Sequence, residues 1–465
     1  MAVEKSGEGT VQALARVVLE ANGAAFAPAN MRHAQLLLLD TLGCGIAGAC
    51  EDVARAVADV ALSAGGTAEC VLLGRREKTA ILNAVLANGV AVRVLDLNDY
   101  LIGESKGEPE TGGHPSDLIP VALAIGAARK CSGAAILESI VVGYELYARL
   151  QQIMDRSGAW DGVSVSGLVA PAMAGRLMGL DQSRLAHAIS LGAARSATPS
   201  IVRRGDISAA KSIANAAVAQ AGVQAALLAE RGITGPLAIL DDPKGLRDLF
   251  ANGDLEPLTA PISEKSAVRR AHVKTYPCIN TGQSAVAAAL KLHAMLKGEV
   301  DKLSRIEIIM ADYRVVKRHQ EDPGRIHPQS REAADHSFPF LVAVTLIDGA
   351  LGSAQFENER WHDPKVKALM SRIVMSRDAK WNARAPGAYP CAVRAHELAG
   401  RELVAEVLYP PGFSQSGLDE AAVAEKFHAV AAPILGSAAR ERIVDAVMEF
   451  DHSPSTATLD AAIST

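Results

Sequence analysis

Apolar residues recur at helical spacing through most of the first half of the chain. Segments 31–49, 79–94, 118–129, 134–150, 163–178, 182–194 and 209–231 each carry that period, and the spacing predicts a helix over each. Gly179 and Gly232 follow two of them as natural stops. Short turns rich in Gly, Asp and Ser join the segments, which predicts an all-helical domain. The texture changes near residue 265. Segments 302–310 and 401–409 are rich in β-branched residues and Leu and read as strands, whereas 335–349 reads as helix. Pro410, Pro411 and Gly412 then break the chain, and helical spacing returns over 418–435 and 437–450. The expected fold is mainly α: a large all-helical domain over 1–265, rejoined by 410–465, with a smaller α+β lid domain inserted over 266–409.

A chain of 465 residues is too long for one ordinary core, which agrees with two domains. Hydrophobic residues at 49% and charged residues at 21% are a globular balance. Aromatics are only 4% and Ala and Leu are plentiful, a mix that favours helices packed through small side chains. The net charge is −5 with no basic run, so no nucleic-acid partner is expected. A few local cations can still bind an anion within such a protein. None of the six cysteines forms a CxxC pair, which argues against a zinc or dithiol centre. The first residues lack a basic-then-apolar signal, and no run reaches the roughly 20 apolar residues of a membrane span. A cytoplasmic chain without a membrane partner is expected.

Four segments could carry chemistry. Segment 95–117, LDLNDYLIGESKGEPETGGHPSD, reads as a loop between two helices, longer than a plain connector. It gathers Asp96, Asp99, Lys106, His114 and Asp117. A carboxylate near an imidazole suits acid–base work near neutral pH. Helix stop and start signals account for the same residues equally well at His114, and capping is the better account of Asp117. The second segment, 196–215, places Arg203, Arg204 and Lys211 around a helix start, where two arginines could clamp a carboxylate; a solvated basic turn explains them more simply. In the third, 271–284, Lys274 and Tyr276 precede a helix, as an ordinary boundary loop would also have it. His336, in the fourth segment REAADHSFPF, reads as a satisfied structural histidine. GxSxG, HExxH, P-loop and strand-following GxGxxG motifs are all absent, so neither cofactor nor metal is expected.

In this order, the segments resemble the MmgE/PrpD family of 2-methylcitrate dehydratases, cis-aconitate decarboxylases and an iminodisuccinate epimerase. The matching stretches are LLLLDTLGCGIAGA, ANGVAVRVLDLND, GGHPSD, AGRLMGLD, KSIANAAVAQAGVQAALLAERGITGP and VKTYPCINTGQSAVAAAL. GHPSD after LDxND is the most specific. The resemblance implies a site between a helical domain and a lid, and a homodimer. It further implies Asp96, Asp99 and His114 in the site, with Lys211 and Lys274 binding substrate carboxylates. Decarboxylases of the family carry a histidine where this chain reads SGAWDGVSVSG, with Asp161 near that place and no histidine. A histidine found after KTYP in several members is replaced by Cys278, Ile279 and Asn280. Segment 101–115 is longer and more acidic than usual.

These departures favour a lyase of the 2-methylcitrate dehydratase type, moving a proton next to a carboxylate of a small di- or tricarboxylate. The alternatives are an iminodisuccinate-like epimerase, a cis-aconitate decarboxylase, or a non-catalytic carboxylate-binding protein on the same fold. His114 is the expected acid or base, with Asp96 or Asp99 orienting it. Lys274 or Tyr276 could serve a second proton. Lys211, Arg203 and Arg204 would supply positive charge, with Asp161 and Tyr276 also in contact with substrate.

Overall fold

The computed structural model describes residues 8–105, 108–154, 159–247, 255–385, 387–413 and 418–464. The expected helices form, as Pro28–Gly48, Ile81–Arg93, Ile119–Arg129, Gly133–Ile153, Ser166–Leu177, Gln182–Ala193 and Ala210–Glu230. Their ends follow local chemistry. Ser132 and Asp181 cap two of them by accepting hydrogen bonds from the amides of Ala135 and Arg184. Gly179 and Gly232 both take the left-handed conformation just past a helix, at φ +69° and +85°. Helices Thr10–Glu20 and Asp52–Ser63 complete this part of the structure and were not expected.

Small residues let these helices approach closely. A Cβ on Gly192 would lie 2.3 Å from the carbonyl oxygen of Gly167, and one on Gly48 would lie 2.0 Å from that of Ala91. The Ala210–Glu230 helix packs against Ile81–Arg93, Ser166–Leu177 and Gln182–Ala193. It has the length and hydropathy of a membrane span, which the sequence did not suggest, but 56% of its apolar window is buried inside the protein.

The buried apolar residues form two large cores. The first runs from Val11 to Val273 and resumes from Val423 to Ile463. Val268, Ala271 and Val273, which follow position 265, pack in it. The second runs from Cys278 to Val407. It is built on a four-stranded sheet in the order Ile373–Asp378, Leu303–Ala311, Cys391–Glu397, Glu402–Val407. The first pair is parallel and the other two are antiparallel. The Gln283–Leu296 helix lies on the last two strands and against Phe338–Asp348.

One expectation is corrected. Segment 95–117 is not irregular throughout: Ile102–Ser105 and Glu108–Thr111 pair as an antiparallel hairpin. Its sequence lacks the β-branched alternation that marks a strand. The hairpin gains support from tertiary ion pairs, in which Arg314 meets Glu108 and Arg318 meets Glu110. Lys106 lies outside the described residues.

Candidate active site

A cavity of about 580 Å³ lies where residues of the two cores face one another. The part of the chain that builds the first core lines it with Arg93, Asp96, His114, Asp161, Arg203 and Arg204; the part that builds the second contributes Arg318, His319, Arg325 and His336, among others.

Main-chain pairing brings the distant segments together. Tyr100 and His272 exchange hydrogen bonds of 2.8 and 2.9 Å, which sets residues 96–100 beside 272–274. Leu101 pairs with Gly112 and Gly113, both at 2.9 Å, which folds His114 back onto Asp99. Asp96 follows the Ile81–Arg93 helix at φ +49°, a left-handed position that Asp tolerates better than most residues. Its carboxylate accepts from Arg93 at 2.6 Å, from Lys211 at 3.0 Å and from Lys274. Lys274 also donates to the Asp96 carbonyl at 2.9 Å. Burial opposes the charge on Asp96, but Arg93, Lys211 and Lys274 outweigh it and hold the carboxyl well below its usual range. Lys211 donates to both oxygens of Asp335, at 2.9 and 3.0 Å.

Lys211 and Lys274, expected to bind substrate carboxylates, lie outside the cavity lining. Both are fully buried, and each ammonium is occupied by carboxylates of the chain itself. Spacing along the chain could not show that Asp96 sits between them. Asp96, Asp335 and His336 do bring donor atoms within 4.8 Å of one another, a spacing that could hold a cation. The Lys211 ammonium touches both carboxylates of that cluster and is their counter-cation.

His114 lines the cavity, and its Nδ1 meets the carbonyl oxygen of Asp99 at 2.6 Å. A carbonyl only accepts, so Nδ1 carries the hydrogen and Nε2 keeps its lone pair. Burial, then Arg93 and Lys274, push the ring's pKa well below the usual histidine value, so it is neutral. The imidazole is thus oriented by the main chain of Asp99, not by a carboxylate as expected. The Asp99 side chain points elsewhere, accepting from Tyr144 at 2.8 Å and from the Ser116 amide at 3.3 Å. Asp117, expected as a cap, instead accepts from Asn98 at 2.8 Å and Asn215 at 2.9 Å.

Burial raises the Asp99 carboxyl to about 7 against the hydrogen bonds from Ser116 and Tyr144. Folding therefore favours its protonated form, and its contribution is fully present below the unfolded value near 4 and is lost as pH rises through about 7. Asp99→Asn removes that dependence. Relative to wild type, the variant will gain stability between roughly pH 4 and 7, by up to about 4 kcal/mol. Urea denaturation across that range tests this; a constant difference contradicts it.

Asp161 and Arg203 form one unit. Asp161 accepts from the Val163 amide at 3.1 Å and from Arg203 Nε at 2.8 Å. Asp161 therefore holds Arg203 in place on the cavity wall that both residues line. Arg204 lines the same wall with, among the described residues, no acidic partner within 4 Å. Arg325 donates to the Arg203 carbonyl at 3.3 Å, joining the two sides. Arg318 is held in two-pronged fashion by Glu110, at 2.6 and 2.7 Å. Tyr276 does not line the cavity; it is half-buried, with its amide on Gln283.

Sequence reasoning missed Arg93, Arg318, Arg325 and Asp335, and dismissed His336. Arg93 was visible three residues before Asp96 in a quoted stretch. Asp335 and His336 stood side by side in REAADHSFPF.

The cavity thus gathers five arginines, of which Arg93 is buried and the others reach solvent, together with the imidazoles of His114, His319 and His336. Residues 12–258 match the MmgE/PrpD N-terminal domain and residues 276–450 the MmgE/PrpD C-terminal domain. The chain belongs to the MmgE/PrpD family. It is 26% identical over 362 residues to the cis-aconitate decarboxylase of Mus musculus, covering 74% of this chain and 70% of that protein. To the 2-methylcitrate dehydratase of Cupriavidus necator it is 25% identical over 360 residues, covering 73% and 72%. A cis-aconitate decarboxylase-like protein of Aspergillus oryzae is 24% identical over 469 residues, 93% of each chain.

Proposed function

We propose that this protein is a hydro-lyase of the 2-methylcitrate dehydratase kind, removing water from, or adding it to, a small di- or tricarboxylate. The observation that carries the reading is the neutral His114, its Nδ1 hydrogen committed to Asp99, in a cavity shared with five arginines. Arg203 and Arg204 bind substrate carboxylates, and Arg318 and Arg325 close the anion site from the other side. The proton beside a carboxylate is weakly acidic, so its removal needs positive charge preorganised where the carboxylate gains electron density. The arginines supply it. His114 serves as an acid–base group through Nε2. The paired lysines stiffen the wall behind it, through Asp96. The relatives named as dehydratases and decarboxylases support lyase chemistry, and the missing histidine near Asp161 favours dehydration over decarboxylation.

Incubation with 2-methylcitrate, citrate, cis-aconitate and iminodisuccinate in deuterated water, followed by proton NMR, tests the reading. Loss or gain of water is expected with one of the tricarboxylates. Carbon dioxide release, or deuterium entry with inversion alone, would reassign the reaction. Saturable binding without any exchange would make the protein a carboxylate-binding member of the family.

A further inference from the structure

A buried histidine on the cavity wall, His336, is left unused by that reading. His336 lines the same cavity as His114, and its Nδ1 is hydrogen-bonded to the Asp335 carboxylate. That carboxylate only accepts, so Nδ1 carries the hydrogen and Nε2 keeps a lone pair. No hydrogen bond to another described residue occupies Nε2. Of the imidazoles that line the cavity, His114 and His336 thus share one tautomer. Their partners differ. His114 is oriented by a neutral carbonyl and stands near Arg93 and Lys274, which oppose a positive ring. His336 bonds a carboxylate and has a second, Asp96, 3.8 Å from Nδ1, opposed by Lys211 at 3.4 Å. A carboxylate on Nδ1–H steadies the imidazolium as it forms, as in hydrolase triads.

We propose that His336 is the catalytic base, its Nε2 taking the proton from the carbon beside a substrate carboxylate. The inference rests on the hydro-lyase reading. As the C–H bond breaks, its electron pair becomes the second bond of the alkene and the C–O bond opens. The departing oxygen takes a proton from His114 and leaves as water. His114 is neutral in the empty cavity; the arriving polyanion offsets Arg93 and Lys274, and Nε2 takes a proton from solvent before the step. His336 gains one proton and His114 loses one, and the reverse transfers serve hydration.

His336→Ala is expected to lower turnover at least about 100-fold while the tricarboxylate still raises the melting temperature. Added imidazoles should then restore turnover in proportion to their basicity, which no structural role would produce. Turnover above a tenth of wild type, or a loss that no imidazole relieves, overturns the assignment. Bromosuccinate on the wild-type protein gives a second measurement that needs no variant. The His336 Nε2 should displace bromide, as peptide mass spectrometry would record, and citrate should protect it. Alkylation elsewhere with His336 untouched also overturns the assignment. Wild-type protein inert toward every polycarboxylate would instead sink the hydro-lyase reading, and the alkylation result would remain interpretable.

Discussion

His114→Ala will lower turnover by about two to four orders of magnitude, the usual contribution of a positioned acid–base group, while leaving the protein folded. The ring makes one described hydrogen bond, to the Asp99 carbonyl, and is partly open to the cavity. Its loss leaves a carbonyl that water from the cavity can reach, so the stability cost is small beside the catalytic one. Steady-state kinetics with the active tricarboxylate, beside a melting curve, separate the two effects. A folded variant retaining a tenth or more of wild-type turnover would remove His114 from the chemistry.

Lys211→Met will have the largest effect on stability, about 3–5 kcal/mol, because it breaks a buried ion network from one side. Asp96 keeps Arg93 and Lys274 in the variant. Asp335 loses its two short contacts and is left with His336 and with Arg331 at 4.0 Å. In wild type, burial opposes the charge on Asp335, but Lys211 and then His336 hold its carboxyl below the usual value. That contribution is present above the unfolded value near 4 and is lost as pH falls through the lower folded value. The gap between variant and wild type will therefore narrow below about pH 4. Denaturant midpoints at neutral and acid pH test this. A difference under about 1 kcal/mol at neutral pH would return Lys211 to the role of an available cation, as exposed pairs contribute no more than that.

The helices were legible because burial on one face leaves a periodic mark, and the caps and stops at Ser132, Asp181, Gly179 and Gly232 are local chemistry. The hairpin at Ile102–Thr111 was not. Its residues have weak strand preference, and ion pairs to Arg314 and Arg318, more than 200 positions away, support it. The site was half legible. His114, Arg203, Arg204, Asp96 and Asp161 do line one cavity, and the clustering of polar residues in loops pointed to them. His336 was passed over because a lone histidine before an apolar helix carries no mark of what lies opposite.

The sequence alone determined the helical segments, the β-containing insertion, the family and the list of residues able to do chemistry, since each depends on neighbours within a few positions or on the order of motifs. Which charges are free was decided only by the tertiary structure. Lys211, Lys274 and Arg93 converge on one carboxylate from positions 115, 178 and 3 residues away. Electrostatic pairing acts through space at a few ångströms, and a linear chain does not reveal which side chains folding will bring that close.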